Sequence, residues 1–266
     1  MMKRTTYIII GVLVSFLIAI ITGIYLVSLK GEKGNSELYF SNELVEMKVP
    51  GIHVIRIVKT DADQKSYVDG TVYVASSAVG VQQNVLFYSK ELTKYLKKTR
   101  TNDTLTIELN FSAETLPEKL RDEKVVFPKN LCFRLMADSA LTTISSSVNG
   151  LNFRVSGMKR DTMSFSFQDR MFVDSCSFRA VAFSGSEGSD ANLTINQSRI
   201  SHLHMDMDAI SWKMDSCNID TEYVSGKGKC YKTWAKGECQ KIIWQPKHAN
   251  AELTVVLKDK ASVSFQ

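Results

Sequence analysis

The sequence predicts an all-β protein, a single-stranded β-helix or β-solenoid, with an N-terminal transmembrane helix. An apolar residue followed by Asp-Ser-Cys occurs at residues 173–176 and again at 214–217, with a looser copy at 195–198. Apolar and polar residues alternate over much of the later chain, as they do in half-buried strands. Residues 6–29 form an apolar run without a single charged side chain. Together these three observations predict the fold class.

The N-terminal run has the length and composition of a membrane anchor. About 20 apolar residues in a helix span the core of a bilayer, and basic residues flank the run on both sides. We expect an uncleaved signal-anchor that crosses the membrane through residues 7–29 and leaves the rest of the chain in the periplasm or outside the cell. A cleaved signal peptide is the alternative, although its apolar region would usually be shorter and end at a small-x-small site.

The chain divides into four parts. Residues 1–30 are the anchor, 31–41 a polar tether, 42–130 a β-rich N-terminal part with one short helix, and 131–266 the solenoid coils with a C-terminal cap. The helix is predicted at residues 89–100, where Leu92, Tyr95 and Leu96 have helical spacing. Alternation predicts strands at residues 52–58, 70–76, 104–111, 162–167, 193–195 and 209–214, and two more within 251–266.

The repeated phrase suggests stacked coils. Ile144, Val173, Ile195 and Met214 each precede a small or polar triplet, at spacings of 29, 22 and 19 residues. Periods near 20 residues with short strands are typical of solenoids, in which matching apolar positions share one interior column. Small residues such as Ser and Cys fit where a coil bends. The alternative is an antiparallel β-sandwich whose strands resemble each other by composition alone.

Three segments resemble the bacterial head GIN domain family of auto-transporter adhesins. Residues 49–58 look like the opening strand of that family, residues 92–109 like the passage into its "D-x-T-L-x-I" strand, and residues 146–226 like its coils. The resemblance implies an exported β-helical domain of the cell envelope. It brings no catalytic residues.

A row of polar side chains within "HLHMDMD" is a candidate metal site. His202, His204, Asp206 and Asp208 alternate with apolar residues, so in a strand the four share one face. Neighbouring His and Asp side chains can share a divalent metal. The alternative is a solvated face above buried Leu and Met side chains. No other cofactor is expected.

Basic and aromatic residues mix near the C-terminus and form a candidate ligand site. Such mixtures bind anionic glycans or phosphorylated lipids, and nucleic acid is not expected as a partner of an exported domain. The alternative is a cap in which the Trp rings cover the end of the core. The candidate residues are Lys227, Lys229, Lys232, Lys236, Lys241, Trp234 and Trp244, and Lys247 and Tyr231 lie among them.

The cysteines favour structural roles over metal binding. Their number, five, is odd, and no C-x-x-C occurs. Cys176 and Cys217 occupy the same place in two repeats and are expected as small buried residues of one stack. Cys230 and Cys239 could close a disulfide loop in an exported domain.

The sequence predicts a binding or adhesion module without catalytic activity, with an anionic glycan or an envelope component as its ligand. It contains no G-x-S-x-G, H-E-x-x-H, P-loop or G-x-G-x-x-G. One alternative is a carbohydrate-active β-helix enzyme with acids drawn from Asp174, Asp206, Asp208 and Asp215. The other is a structural or regulatory envelope protein that docks a partner at an exposed strand edge.

Overall fold

The computed structural model describes residues 4–30, 36–60, 65–77, 83–185, 191–235 and 239–258. Its contacts divide the chain into two units, Met1–Ser36 and Glu37–Gln266. The first contains one long helix, and the second contains the strands.

The helix of the first unit, α1, runs from Arg4 to Lys30. Its side chains are described over residues 12–25, where all are exposed. Among the described residues, no helix is long and apolar enough to cross a membrane. The prediction of a transmembrane helix at residues 7–29 is corrected accordingly.

The second unit is built almost entirely from strands. Between them lie a 3-10 helix at Lys90–Tyr95 and a single helical turn, α2, at Glu118–Arg121. The strands are β1 (Glu37–Tyr39), β2 (Leu44–Val49), β3 (Val54–Lys59), β4 (Lys65–Ser66), β5 (Gly70–Ser76), β6 (Asn84–Ser89), β7 (Leu96–Thr101), β8 (Thr104–Leu109), β9 (Val125–Lys129), β10 (Leu131–Ala137), β11 (Thr143–Ser146), β12 (Leu151–Ser156), β13 (Lys159–Phe167), β14 (Arg170–Asp174), β15 (Ser177–Gly185), β16 (Ala191–Asn196), β17 (Arg199–Asp206), β18 (Ile210–Asp215), β19 (Asn218–Gly226), β20 (Lys229–Ala235), β21 (Lys241–Pro246) and β22 (Glu252–Lys258).

Two large sheets share one hydrophobic core. The eight-stranded sheet has the order β18-β16-β14-β12-β5-β10-β6-β2, and the nine-stranded sheet has the order β21-β19-β17-β15-β13-β11-β3-β8-β7. From β11 to β19 the chain places successive strands in alternate sheets, and neighbours within each sheet pair in parallel. Strands β2, β6 and β7 pair antiparallel with their neighbours.

This arrangement contradicts the predicted β-helix or β-solenoid. The described strands form separate mixed sheets rather than one closed coil. Neighbouring strands in each sheet also do not follow the order of the chain throughout. Strand β5 lies between β10 and β12, and β3 lies between β8 and β11. The two-layer sandwich considered as the alternative is closer to the observed fold, although most of the described strand pairs are parallel rather than antiparallel.

The repeated phrase encodes the turn between the two sheets. Val173, Ile195 and Met214 lie side by side in register, as the repeat predicts. Ile144 does not join them: it pairs with Ile55 and Phe165 in the other sheet. The place expected for Ile144 belongs to Val155, which pairs with Val173.

The third residue of each phrase has a left-handed backbone, which turns the chain sharply between strands. The φ angles are 60° at Gly157, 54° at Ser175, 46° at Gln197 and 54° at Ser216. The fourth residue then points inward. Met158, Cys176 and Ser198 are buried, and the Cys176 N–H donates to the Ser198 hydroxyl at 3.1 Å. Ser198 lies between Cys176 and Cys217, so the expected stack of small residues is present, although Cys217 is only half-buried.

All five cysteines are free thiols, so Cys230 and Cys239 form no disulfide in this structure. Burial raises the pKa of the thiols of Cys176, Cys217 and Cys230. Free, partly buried thiols of this kind act as small apolar residues of the core.

The helix predicted at residues 89–100 is only the 3-10 helix Lys90–Tyr95. Leu92 and Tyr95, three residues apart, are both buried on its inner side. The chain then extends as β7, which pairs antiparallel with β8. Of the two C-terminal strands predicted, β22 is present, and the second lies outside the described residues.

Candidate functional site

The polar row of the predicted metal site lies on and just beyond β17. Leu203 and Met205 are buried, as the alternation predicts. The His204 ring stacks on Tyr223 of β19, with 4.4 Å between centroids and 5° between planes, and the His202 ring lies 5.9 Å from the same ring. Burial and the neighbouring His202 lower the pKa of His204. The two histidines thus belong to an aromatic cluster with Tyr223.

The two aspartates of the row are bound to a lysine. The Lys247 ammonium donates to Oδ1 of Asp206 and, at 3.1 Å, to Oδ2 of Asp208. Asp208 also accepts hydrogen bonds from the backbone N–H of Lys227. The described residues contain no group of three or more His, Cys, Asp or Glu placed to hold a metal ion. Metal binding by His202, His204, Asp206 and Asp208 stays a prediction.

The aromatic residues of the C-terminal candidate site surround a buried carboxylate. Glu222 has no exposed surface. Its Oε2 accepts a 2.7 Å hydrogen bond from the Trp234 indole, and its Oε1 accepts a 2.9 Å hydrogen bond from the Trp212 indole. Burial raises the pKa of Glu222, although the two indoles and the charge of Lys232 act against the shift. Trp234 is itself 2% exposed and cannot meet a ligand.

The described lysines of that candidate site make different contacts. The Lys232 ammonium lies 4.1 Å above the Trp212 ring and donates to the Trp212 carbonyl at 3.0 Å. Lys229 faces Glu252 at 4.0 Å, and Lys227 and Lys241 are exposed. Trp244 is half-buried against the core, and Lys236 lies outside the described residues. Trp234 belongs to the core and Trp244 packs against it, and ligand binding by this candidate site stays a prediction.

A basic cavity on the nine-stranded sheet is the candidate site that the sequence did not indicate. It has a volume of about 520 Å³ and opens along the first residues of three adjacent strands, β13, β15 and β17. The lining residues are Lys159, Arg160, Asp161, Ser177, Phe178, Arg179, Arg199 and Ser201.

Strand register places the cationic groups around this cavity. Lys159 pairs with Ser177, and Ser177 pairs with Arg199 on the next strand. Lys159, Arg179 and Arg199 are all exposed. The Arg179 guanidinium faces the only acid among the lining residues, Asp161, at 3.6 Å.

Arg160 forms the inner wall of the cavity. Its Nη2 donates to the carbonyls of Ala137 at 2.7 Å and Asp138 at 3.0 Å. Burial lowers the pKa of Arg160, which the nearby Asp138 counteracts. A guanidinium starts from so high a pKa that it stays charged at neutral pH. Arg160 therefore adds a fixed positive charge behind the three exposed cations.

The cavity can bind an oxyanion. Arginine presents a planar fork of N–H groups that matches carboxylate, sulfate and phosphate, and the Ser177 and Ser201 hydroxyls can donate or accept further hydrogen bonds. Its described lining has one carboxylate and neither histidine nor cysteine.

The acids of the enzyme alternative serve in turns or ion pairs. Asp174 and Asp215 lie in one row with Asn196 between them. Each accepts a hydrogen bond from the serine that follows it, Ser175 at 3.0 Å and Ser216 at 3.2 Å. Asp206 and Asp208 are bound to Lys247, so each of the four acids has a hydrogen-bond partner in this structure.

No family model and no curated protein matches this chain. Among solved structures, it is similar to a candidate adhesin from Bacteroides fragilis NCTC 9343, with 10% identity over 83% of this chain and 96% of that one, at a TM-score of 0.49. A candidate adhesin from Parabacteroides distasonis ATCC 8503 shares 13% identity over 84% and 97%, at 0.44. A candidate lipid-binding protein from the same strain shares 11% over 83% and 96%, at 0.41. These are bacterial proteins of the broad kind that the sequence resemblance implies, but similarities this low assign neither family nor function to the chain.

Proposed function

We propose that the β-strand unit is a non-catalytic binding module that holds the acidic group of a glycan in the basic cavity. The observation that supports this proposal is the convergence of Lys159, Arg179 and Arg199, from three adjacent strands, on one concave surface. A single carboxylate, that of Asp161, offsets their charge among the lining residues. An acidic ligand would relieve the remaining repulsion and gain charge-assisted hydrogen bonds.

The scaffold supports selective binding because it fixes the backbone positions from which the cationic side chains extend. Arg179 and Arg199 belong to strands that are paired in parallel on both sides, and Lys159 pairs with Ser177 of the neighbouring strand. Groups on rigid strands lose less freedom on binding than groups on loops. A concave surface lined with charges of one sign also raises the local concentration of ligands of the opposite sign.

The size and lining of the cavity suit a sugar acid. A volume of about 520 Å³ lies within the usual range of ligand pockets, about 300–1,000 Å³. Ser177 and Ser201 offer hydroxyl partners for sugar hydroxyls, and the guanidinium groups offer partners for a carboxylate or sulfate. A receptor for such glycans has to meet them at the cell surface, so an envelope-exposed location is part of this proposal.

Titration of the full chain with galacturonate tests the proposal, with galactose as the neutral matched sugar. The double variant Arg179→Gln/Arg199→Gln should weaken galacturonate binding by about tenfold or more, because charge-assisted hydrogen bonds contribute about 1.5–3 kcal/mol each. Lys97→Gln/Lys119→Gln removes the same charge outside the cavity and should change the Kd less than twofold. Equal losses in both double variants would show that only net charge matters and would overturn the proposal.

A further inference from the structure

The outer face of the eight-stranded sheet carries a second, unrelated feature: a row of alternating aromatic rings and guanidinium groups. Five adjacent strands, β14, β12, β5, β10 and β6, each contribute one side chain in register. In spatial order the row, called here the cation–ring row, is Phe172, Arg154, Tyr73, Arg134 and Phe87.

The row points outward along its whole length. In β5 the residues on either side of Tyr73, Val72 and Val74, are both 1% exposed, and Tyr73 itself is 44% exposed. Arg134 and Arg154 are exposed, and the two phenylalanines at the ends are half-buried. Alternation along each strand thus leaves the row on the surface and its neighbours in the core.

The arginines lie over the rings beside them. The Arg154 guanidinium carbon is 5.0 Å from the centroid of Phe172, and that of Arg134 is 5.9 Å from the centroid of Tyr73. Both distances are within the range of cation–π attraction. An arginine held against a ring face still presents its N–H edge to an oxyanion. Within the described part of the chain, no carboxylate forms an ion pair with either arginine.

Strand spacing sets the pitch of the row. Adjacent strands lie about 4.8 Å apart, so Arg154 and Arg134, two strands apart, are separated by roughly 10 Å and the five positions span about 19 Å. The same register continues through Thr194 to the exposed Lys213 at one end and Glu46 at the other. The row therefore presents positive charge at intervals over a length that suits a polymer.

We propose that the cation–ring row binds an extended acidic polysaccharide that lies across the strands. Acid groups of the polymer bind the N–H edges of Arg134 and Arg154, and a sugar between them packs on the exposed Tyr73 ring. A single-stranded nucleic acid would need successive exposed rings for its bases, whereas Tyr73 is the one well-exposed ring among the three rings of the row. Charge complementarity and the single central ring favour the polysaccharide.

This second surface goes beyond the proposed function and does not depend on it. The cavity lies on the nine-stranded sheet and takes one acidic sugar, whereas the row lies on the other sheet and takes a polymer. Loss of one therefore leaves the other measurable.

The test uses the full chain and immobilised polygalacturonate, with fully methyl-esterified polygalacturonate as the uncharged control polymer. Arg134→Gln/Arg154→Gln should weaken binding to polygalacturonate about tenfold or more and reduce its salt dependence. Arg134→Lys/Arg154→Lys keeps the charge without the planar fork and should give an intermediate loss. Lys97→Gln/Lys119→Gln removes the same charge at exposed positions outside both sites and should leave polymer binding within twofold of wild type.

Three results would overturn this inference: wild-type affinity in Arg134→Gln/Arg154→Gln, equal binding to the esterified polymer, or tighter binding to a single-stranded oligonucleotide. The substituted side chains are exposed, so the circular dichroism spectrum and Tm should match those of wild type. If the double variant fails to fold, the single variant Tyr73→Ser tests the inference instead. It should weaken polymer binding severalfold and leave galacturonate binding unchanged.

Discussion

The Trp234 indole donates a 2.7 Å hydrogen bond to Glu222, a carboxylate without exposed surface. Trp212 donates to the other oxygen, and Lys232 lies over the Trp212 ring. From the sequence, the tryptophans and lysines of this region are expected to form a basic, aromatic surface. In the structure they surround a buried acid, which makes this part of the molecule sensitive to pH.

We predict that Glu222 stabilises the fold more at acidic than at neutral pH. Burial raises the pKa of Glu222 in the folded state above the ordinary value of 4.5. At pH values between 4.5 and this raised pKa, the folded state therefore binds more protons than the unfolded state. The free energy of unfolding should therefore fall as pH rises through that window. Urea unfolding of wild type and Glu222→Gln at several pH values measures the difference.

In Glu222→Gln this pH dependence should disappear. Glutamine has one acceptor oxygen for two indole donors, so the variant should also be less stable by about 1–3 kcal/mol. A difference between the two proteins that grows with rising pH would contradict the account.

Two glycines with the same backbone conformation should respond differently to alanine. Gly150 and Gly157 both have positive φ, 82° and 60°. A Cβ at Gly150 would lie 1.8 Å from the Val68 carbonyl oxygen, whereas nothing lies within 4 Å at Gly157. Gly157→Ala should cost about 1 kcal/mol from backbone strain alone, and Gly150→Ala about 3 kcal/mol or more. Equal losses in unfolding free energy would show that the close approach at Gly150 is not maintained.

Lys247 should control any metal binding at Asp206 and Asp208. Burial disfavours the charged form of Asp208, but hydrogen bonds from the Lys227 backbone and from Lys247 outweigh it, and its pKa is lowered. Because the lysine occupies both carboxylates, we expect Zn²⁺ to leave the Tm of wild type unchanged. A Zn²⁺-induced rise in Tm that is lost in His204→Ala would contradict this and would support the predicted metal site.

The repeated phrase shows how far the sequence could predict the fold. Alternation and spacing correctly align Val173, Ile195 and Met214, because parallel strands with identical turns keep the same register. The alignment of Ile144 with these residues is wrong, because the "SSS" that follows it resembles the other triplets only in composition. The first copy of the phrase is at residues 155–158, and its turn residue is Gly157. A positive φ is the shared physical requirement, and Ser, Gln and Gly can all meet it.

Other features could not be predicted because they depend on pairing between distant segments. Strand β5 lies between β10 and β12, although about sixty residues separate it from β10 along the chain, and no local pattern encodes that position. The cationic residues of the cavity, Lys159, Arg179 and Arg199, are distant in the sequence. The parallel pairing of β13, β15 and β17 brings them together. A correct alignment of the four turns would have placed Lys159 and Arg199 at the same position after the turn.

The most direct test of the central claim is side-chain NMR of the full chain with ¹⁵N-labelled arginine. On titration with galacturonate, the account predicts that the Nε–H signals of Arg179 and Arg199 shift together with one Kd, and that Arg170, outside the cavity, does not shift. Uniform small shifts of all arginines, or shifts confined to arginines outside the cavity, would contradict it.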